Sequence, residues 1–508
     1  MSKPKEKGRV AALAAALSAE KMDRSTLPRV LITTDLEVDD QNGILLTLLF
    51  ADQFDLAGIV WTAGMFHFNG DGTHTLAEIT PHYRCEATTA GGTVENAGQL
   101  KSYRPVDPGL LTRLIDVSYR ADYEFLSRNS PNYPTPDELL GIAKTGNVEF
   151  EGDYRFETEG SELIKSCILD DDPRPLCIQH WGGINTTVRA LISIYEQYHD
   201  TPEWDSVRDK VVAKVRLDRS GEDHCRADSR IDELFPGLQD YDWHGYGNYG
   251  NYFQAAPAGK YRAKMKMGER EIEIPLGTNE RLNPYYRGEY LKKAIKFDHG
   301  QLLTQFHLMN DGQVIYGEPL CFQYGLMKYV DWTETSRQGF GNITDWPRVE
   351  LDTFDWMCCQ FETCKFIDLG LRWDVKNRDD RFVIALFDEL AARAEWAVRP
   401  PEACNHAPRI EVRQRDITAR AGETVSVEAA VSDPDGDAVE VCWWMKAEDD
   451  PCPEQEDAGA SSLHGLAASF TIPADARPGD RYVITAEARD DAELPMTRYA
   501  QIVVKVDG

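Results

Sequence analysis

The chain has 508 residues, of which 85 are Asp or Glu and 55 are Lys or Arg, so its formal net charge at pH 7 is −30. Such an acidic chain lacks the basic surface with which a nucleic-acid binder neutralises phosphates, and anionic membranes repel it. A hydrophobic content of 42% excludes a disordered acidic chain, and at roughly 100 to 200 residues per domain the length predicts two to four domains.

The N-terminal segment, residues 1–27, has two interpretations. Basic residues precede a short alanine-rich apolar run from Val10 to Leu17, and Ser18 and Ala19 resemble a signal-peptide cleavage site. A surface helix explains the same run. With a signal the protein is periplasmic or secreted, and without one it is cytoplasmic.

Alternating apolar and amphipathic stretches begin after this segment. A buried strand is predicted from Arg29 to Thr33, a helix from Gln41 to Phe50 and a second strand from Leu56 to Trp61. This order is a β-α-β unit, which implies a parallel sheet. A broad irregular region is predicted between about Phe66 and Asp153.

A second unit of the same kind follows. It comprises a strand from Leu176 to Trp181, a helix from Asn185 to Tyr198 and a strand from Val211 to Leu217. Residues 28–400 are therefore predicted to form an α/β domain with a doubly wound, mainly parallel sheet. Ligands of such sheets bind beyond the carboxyl ends of the strands, which directs attention to the residues that follow them.

The C-terminal part, residues 404–508, has the pattern of a β-sandwich. Val425 to Ala429 and Tyr482 to Ala486 alternate with a period near two, and turn-rich stretches such as Ser432 to Asp437 separate such segments. About 105 residues is the size of an immunoglobulin-like β-sandwich, which is the fold predicted here.

Four carboxylates follow the first predicted strand directly: Asp35, Glu37, Asp39 and Asp40. Like charges placed so closely repel, and a cation would hold them together. Carboxylate oxygens suit Ca²⁺ or Mg²⁺ better than Zn²⁺. A bound ion lowers the pKa of a coordinated water, and a neighbouring carboxylate can take its proton, which is hydrolase chemistry. In the alternative interpretation Asp39 or Asp40 caps the helix that begins near Gln41, and the other acids are solvated.

The segment RVLITTDLEVDDQNGILLTLL resembles the signature of the nucleoside hydrolase superfamily, and more closely its nucleoside-hydrolase-like branch described as cellulose-binding proteins. Phe66-His67, the stretch Thr158 to Ser161 and the run DDPRPLCIQHWGGINTTVRAL agree with that branch. So does a C-terminal β-sandwich with an SDPDGD turn. The resemblance spans most of the chain and implies the fold more specifically than the substrate.

The resemblance implies a calcium site, with Mg²⁺ as the alternative ion. It makes Asp35 a calcium ligand and the general base, and Asp39 and Asp40 further acidic ligands. The backbone carbonyl of Trp181 and the distant carboxylate of Asp311 complete the implied set. Without the resemblance, Asp311 in an Asn-Asp-Gly stretch is an ordinary turn residue.

The sequence departs from the superfamily pattern at several positions. Thr33 stands where nucleoside hydrolases have their first aspartate, and Leu36-Glu37 replace the Pro-Gly of the loop. Asn310 stands where several nucleoside hydrolases have a histidine that helps the leaving base depart. Loss of that acid argues against nucleosides as the natural substrate.

Other candidates for the site follow the predicted strands. His67 and His180 could bond a sugar hydroxyl or protonate a leaving group, because imidazole titrates near neutral pH. His67 is predicted to be catalytic and substrate-binding, whereas His180 in an apolar strand can also be a buried, satisfied histidine. The resemblance places Glu159 and Asn185 near the site as substrate-binding residues.

An aromatic stretch, YDWHGYGNYGNYF from Tyr241 to Phe253, interleaves rings with glycine and asparagine. Stacking combined with hydrogen bonding is how flat sugar rings are gripped, so Trp243 and Tyr246 are predicted to contact a sugar. Plain surface packing is the alternative.

Three functions remain from the sequence. The first is a Ca²⁺-dependent hydrolase of a glycosidic bond, in an N-ribosyl compound or in a glycoside or oligosaccharide, with Asp35 as base. The second is a non-catalytic carbohydrate-binding protein on the same scaffold, and the third is a metal-dependent phosphohydrolase, which lacks an evident phosphate cradle. The expected partner is a sugar, glycoside or oligosaccharide, with no nucleic acid or membrane; a homo-oligomer is left open.

Overall fold

The structure is a computed structural model that describes residues 4–19, 21–27, 29–64, 67–80, 88–89, 92–93, 97–218, 229–241, 261–267, 270–276, 300–303, 380–447 and 463–508. Its helices are α1 (Pro4–Ser18), α2 (Val38–Leu49), α3 (Leu76–Ile79), α4 (Leu110–Arg113), α5 (Arg120–Asn129), α6 (Pro136–Ile142), α7 (Glu159–Leu169), α8 (Asn185–Tyr198), α9 (Trp204–Lys214), α10 (Ser229–Leu234), α11 (Gly300–Leu303) and α12 (Asp380–Trp396). A π-helical segment, Leu114–Tyr119, joins α4 to α5. Short 3-10 turns lie at Arg24–Thr26, Ala51–Gln53, Ala97–Gln99 and Pro401–Ala403.

The N-terminal part is built on one parallel sheet. Its strands are β1 (Arg29–Thr34), β2 (Asp55–Trp61), β3 (Ala143–Thr145), β4 (Leu176–His180), β5 (Val215–Asp218) and β6 (Gln239–Tyr241). They lie in the order β3-β2-β1-β4-β5-β6, and every neighbouring pair is parallel. The order reverses direction between β1 and β4, which is where doubly wound sheets open a crevice for ligands. The predicted α/β fold is confirmed.

Both faces of the sheet are covered, as the continuous apolar strands require. Val30 and Ile32 of β1 pack into one core with α2 and α12. Leu31 points to the opposite face and packs with residues of α7, α8 and α9. Short antiparallel hairpins outside this sheet pair Thr88–Thr89 with Gly92–Thr93 and Tyr261–Met267 with Arg270–Leu276.

Three sequence predictions need correction. The strand predicted from Val211 is helical as far as Lys214, and β5 begins only at Val215. Val211 is fully buried in α9, and Val212 next to it is partly buried. Periodicity alone does not separate such a short apolar helix end from a strand. The region from Phe66 to Asp153 is not irregular throughout, because its described residues include α3 to α6 and β3. Helix α2 begins at Val38 rather than near Gln41.

The C-terminal part contains only strands after the Pro401–Ala403 turn, within the residues that the structure describes. They are β7 (Arg409–Val412), β8 (Asp416–Arg420), β9 (Thr424–Ser432), β10 (Val439–Ala447), β11 (Leu463–His464), β12 (Ala467–Thr471), β13 (Arg481–Asp490) and β14 (Thr497–Asp507). One sheet has the order β7-β9-β12 and the other β8-β14-β13-β10-β11. Residues from both sheets, including Val427 and Ile484, fill a shared core. The predicted β-sandwich is confirmed; its immunoglobulin-like detail stays a prediction.

Helix α1 packs against the rest of the chain. Leu13 and Leu17 are buried, and the Arg409 guanidinium donates to the carbonyl of Ala16 at 2.9 Å. In the part of the chain that the structure describes, no helix combines the length and apolar character that crossing a membrane requires.

Candidate functional site

The carboxyl ends of β1, β2 and β4 converge on Asp35. The amide of Thr62 donates to the carbonyl of Thr34 at 2.8 Å, and the amide of Trp181 donates to that of Thr33 at 2.8 Å. These bonds carry the strand pairing one residue past the end of β2 and of β4. The turns that follow β2 and β4 therefore lie on either side of Asp35, at the point where the strand order reverses.

Asp35 is held between two glycines. A Cβ on Gly64 would lie 1.9 Å from Asp35 Oδ2, and a Cβ on Gly182 would lie 2.6 Å from the Asp35 amide nitrogen and 2.7 Å from its Cβ. Real Cβ atoms do not approach so closely. The turn at Gly182 therefore requires glycine, because a Cβ there would meet backbone, whereas a Cβ on Gly64 would displace the Asp35 carboxylate. The side chain of Asp35 is consequently buried, with only 3% of the residue exposed, in a slot made of backbone.

Asp40 shapes the loop that carries Asp35. Its Oδ2 accepts from the hydroxyl of Thr34 at 2.7 Å, the amide of Asp35 at 3.0 Å and the amide of Leu36 at 3.2 Å. Leu36 has φ of 63°, a left-handed conformation that costs free energy in a residue with a Cβ. The amide of Glu37 then donates to Asp35 Oδ1 at 3.1 Å. The loop thus accepts backbone strain at Leu36 while it fixes the carboxylate of Asp35.

The structure describes part of the predicted calcium set. Asp35 and Asp40 are both buried, and the Asp40 carboxylate lies at the backbone amide of Asp35. Carboxylate oxygens are the hard donors that Ca²⁺ or Mg²⁺ takes. Two of the predicted ligands thus have the donor chemistry of a calcium site, and calcium binding itself stays a prediction. Trp181 is buried directly after β4, and its indole nitrogen donates to Gln179 at 3.2 Å. Asp39 lies in α2, but its side chain is outside the described residues.

Three further residues predicted for the site lie outside the described part of the chain. They are Asp311 of the implied metal set and Trp243 and Tyr246 of the aromatic stretch. Their roles stay predictions.

In the described ranges, one group of three carboxylates has ligand atoms within 4.8 Å of one another: Asp433, Asp435 and Asp437. It lies in the SDPDGD turn of the C-terminal part, far along the chain from Asp35. Asp433 Oδ1 accepts the amides of Asp435, Gly436 and Asp437 at 2.8, 2.9 and 3.0 Å. Asp435 accepts the amide of His406 at 2.7 Å. Hydrogen bonding within a turn accounts for this group.

A second network braces the strand ends beside Asp35. Asn185 accepts from the hydroxyl of Thr62 at 2.7 Å and donates to the carbonyls of Asn147 and Asp153, each at 3.0 Å. The hydroxyl of Thr186 contacts that of Thr62 at 2.8 Å and accepts the amide of Asn147 at 2.9 Å. Both N–H donors of Asn185 are thus committed to the protein, which favours a bracing role over the predicted substrate contact.

His180 and Glu159 have ordinary structural surroundings. His180 is buried in β4, and its Nε2 lies 2.9 Å from the hydroxyl of Thr187 in α8. Glu159 lies in the first turn of α7, where a carboxylate favours the positive end of the helix dipole. The capping box of that helix is formed by Thr158 and Ser161.

His67 lies next to Asp35 in a charged cluster that we call the rim cluster, made of Glu37, His67 and Arg104. His67 Nδ1 lies 2.9 Å from the carbonyl oxygen of Arg104, and its Nε2 lies 3.4 Å from Glu37 Oε2. Arg104 donates to Glu37 Oε1 at 3.1 Å. Burial lowers the pKa of His67, but contact with Glu37 and the negative charges of Asp35 and Glu37 outweigh it and raise that pKa to about 9. His67 is therefore an imidazolium at neutral pH.

Several members of this site carry little signal in the sequence. Gly64 and Arg104 lie in loops, where a single glycine or arginine forms no pattern. The sequence predictions also missed the bond from the amide of Leu36 to Asp40. The spacing of Thr34, Asp35 and Asp40 around the strand end is a signal that could have indicated it.

Comparisons with known proteins agree with this architecture. The family described as "Cellulose-binding Sde182, nucleoside hydrolase-like domain" matches residues 29–341, and the one described as "Cellulose-binding protein Sde0182, C-terminal domain" matches residues 424–506. No protein of curated function matches the chain.

Among solved structures, a nucleoside hydrolase-related hypothetical protein from Saccharophagus degradans, described as associated with carbohydrate metabolism, is similar at a TM-score of 0.61. It is 20% identical, and the match covers 95% of this chain and 100% of that one. This similarity shows a shared fold. VCBP3 domain 1 from Branchiostoma floridae is 15% identical, and the match covers 20% of this chain and 96% of that one. Its TM-score of 0.15 is too low to indicate a shared fold.

Proposed function

The chain belongs to the cellulose-binding Sde182 family with a nucleoside hydrolase-like domain, and from this premise we propose that it is a Ca²⁺-dependent hydrolase that cleaves a glycosidic bond in a glycoside or oligosaccharide. The observation that carries the proposal is the slot between Gly64 and Gly182, which fixes the buried Asp35 carboxylate, while Asp40 bonds to the Asp35 amide. A base that is held rigidly before the reaction needs no reorganisation during it.

In the proposed reaction, Asp35 orients the attacking water and takes its proton as the water oxygen bonds to the anomeric carbon. The glycosidic bond breaks, and the leaving oxygen takes a proton from solvent. Asp40 and the carbonyl of Trp181 would join Asp35 in holding Ca²⁺, which lowers the pKa of a water it coordinates. Asp40 also fixes the loop through the amides of Asp35 and Leu36. The buried Nε2 of His67 faces Glu37, so we assign His67 a positioning role in place of the catalytic role predicted from sequence.

The proposal is tested by turnover of a panel of glycosides, oligosaccharides and nucleosides with and without chelator. We expect Ca²⁺-dependent release of reducing sugar, and a loss of about 10²- to 10⁴-fold in kcat for Asp35→Asn, which keeps the shape of the side chain. Asp116→Asn is the control, because Asp116 is half exposed and pairs with Arg120 on a helix surface. Full activity after chelation would contradict the proposal.

A non-catalytic carbohydrate-binding protein is the second candidate, favoured by the family's description as cellulose-binding. A groove of about 770 Å³ lies on the β-sandwich, and its lining includes Arg413, Ser426 and His464. Among the described residues, the lining contains no Phe, Tyr or Trp. Stacking on flat glucan chains calls for larger rings, so this groove does not favour cellulose binding by the C-terminal part. Tight binding of oligosaccharides with no turnover on the whole panel would decide for the second candidate.

A further inference from the structure

The rim cluster of Glu37, His67 and Arg104 lies immediately outside the proposed catalytic carboxylate. The amide of Glu37 bonds to Asp35 Oδ1, so the Glu37 side chain leaves the loop next to Asp35. None of the three side chains is needed for the water activation proposed above. Glu37 nevertheless contacts both His67 and Arg104, and His67 also contacts the backbone carbonyl of Arg104.

The loop that carries Arg104 is fixed on both sides. Phe68 and Tyr103 exchange two backbone hydrogen bonds, each of 2.9 Å. The side chain of Asn69 donates to the carbonyl of Val106 at 2.9 Å and accepts its amide at 2.8 Å. Arg104 therefore stands between two anchored residues, on a segment that is tied to the chain following β2.

The backbone of Arg104 is strained. Its φ is 41°, in the left-handed region that residues with a Cβ rarely adopt. Such strain persists where the surrounding structure imposes it, and it collects at ligand sites. A glycine would accept this backbone without cost, and the local carbonyl bond to His67 would survive the exchange. The use of arginine points to a function of the side chain.

The exposed parts of the cluster are an acceptor and a donor. The side chain of Glu37 is 29% exposed and that of Arg104 is 39% exposed, whereas His67 is at 12% and lies behind them. A carboxylate next to a guanidinium, which carries five N–H donors, matches two neighbouring hydroxyls of a sugar ring. An anionic sugar fits less well, because Glu37 would repel it and the net charge of the chain is −30.

We propose that Glu37 and Arg104 form a subsite for a neutral sugar unit adjoining the unit at Asp35, and that His67 is the positioning residue that orients Glu37. This inference rests on the proposed function and deepens it, because it assigns the protein to oligosaccharides rather than to monosaccharide glycosides. The subsite is engaged only by a ligand longer than one sugar.

The test is calorimetric binding of cellohexaose, xylohexaose and mannohexaose, and of the corresponding monosaccharides, to Asp35→Asn protein at a Ca²⁺ concentration that titration has shown to saturate this variant. Adding Arg104→Gln or Glu37→Gln should weaken binding of the preferred hexasaccharide about tenfold and leave monosaccharide binding unchanged. Arg113→Gln is the matched control, because Arg113 pairs with Asp107 nearby in the chain and its side chain is 52% exposed.

Arg104→Gly separates a ligand contact from a structural role. It should lose the same affinity without lowering Tm, since it removes the strain at φ of 41°. A drop in Tm with unchanged affinity would overturn the subsite. If the hexasaccharides bind and Arg104→Gln keeps full affinity, the subsite alone fails; if none of the sugars binds, the proposed function fails with it.

Discussion

At the scale of single residues, the slot around Asp35 depends on atoms that glycine does not have. Gly64 and Gly182 leave room for the carboxylate because neither has a Cβ. Fixing a charged group between two backbones restricts its rotamers more strictly than flexible side chains could. The position of Asp35 is therefore fixed by the turns that follow the neighbouring strands as well as by its own loop.

Gly64→Ala should displace Asp35, since its new Cβ would lie 1.9 Å from Oδ2. We expect Ca²⁺ affinity to fall at least tenfold and the free energy of unfolding to fall by about 1–3 kcal/mol, the usual cost of overpacking. Calorimetric titration with Ca²⁺ and thermal unfolding measure the two effects.

The control for that substitution is Gly141→Ala. Gly141 lies in α6, and a methyl group added there would have nothing within 4 Å, so alanine should be neutral or stabilising by about 0.5–1 kcal/mol. Unchanged Ca²⁺ binding in Gly64→Ala would contradict the slot.

The raised pKa of His67 makes stability depend on pH. Its pKa is about 9 in the folded protein against about 6.5 in an unfolded chain, so folding favours the protonated form. That stabilisation, on the order of 1–3 kcal/mol, is fully present below pH 6.5 and is lost as pH rises through 9. Wild type and His67→Gln, unfolded by urea in chelator from pH 6 to 10, should converge in stability at the alkaline end. An imidazole that titrates near 6.5 by NMR would contradict this.

At the scale of secondary structure, ion pairs stabilise the sheet at the amino-terminal end of β1. Arg29 of β1 and Lys214 of α9 both bond to Asp170, which follows α7. Burial raises the pKa of Asp170, but these two cations outweigh it and the pKa is lowered. The stabilisation is therefore present above the unfolded value of about 3.9 and is lost as pH falls. This contact joins three elements at the end of the sheet opposite Asp35.

Asp170→Asn should destabilise the protein by about 1–3 kcal/mol, because the side chains of Arg29 and Lys214 are only 9% and 5% exposed and would lose the carboxylate that they share. Arg29 would keep Asp172, at 3.8 Å. The neighbouring Asp171→Asn is the control, since Asp171 is fully exposed and lies 3.4 Å from Lys210. Equal urea midpoints for the two variants would show that the pairs at Asp170 contribute nothing.

The elements at the centre of the fold are predictable from sequence, and the contacts between loops are not. β1 is a fully buried strand, and the acids that follow it mark its end by local sequence alone. The end of α9 reads wrongly as a strand because Val211 is buried equally well in a helix or a strand. Arg104 reaches Glu37 across 67 positions of the chain, through a backbone conformation that no periodicity encodes. Spatial proximity of this kind arises only from tertiary packing.

At the scale of the whole molecule, the two parts of the chain share a core. Trp396 of α12 packs in the same apolar cluster as Trp444 and Met496 of the β-sandwich. His406 connects the two parts. Its Nε2 lies 3.0 Å from Asn129 Oδ1, and its Nδ1 lies 3.1 Å from Asp435 Oδ2. The junction is thus packed and hydrogen-bonded rather than a loose linker.

A buried chain of charges crosses the same junction. Arg393 of α12 is fully buried and donates to Asp52 at 2.7 Å and to Glu389 at 2.8 Å. Glu389 in turn accepts from Arg498 of β14 at 2.8 Å. Removing one partner from such a network leaves a buried charge uncompensated, which costs far more than losing a surface pair.

Glu389→Gln should therefore lower the free energy of unfolding by about 3 kcal/mol or more and should weaken the connection between the two parts, because it takes a counter-charge from both Arg393 and Arg498. We expect wild type to unfold in one calorimetric transition and Glu389→Gln to unfold in two, with the β-sandwich separating from the α/β part. Arg413→Gln is the control, since that side chain is 82% exposed on the β-sandwich and lies 4.0 Å from Glu428. Two transitions in the wild type would show that the shared core and the charges at the junction do not couple the two parts.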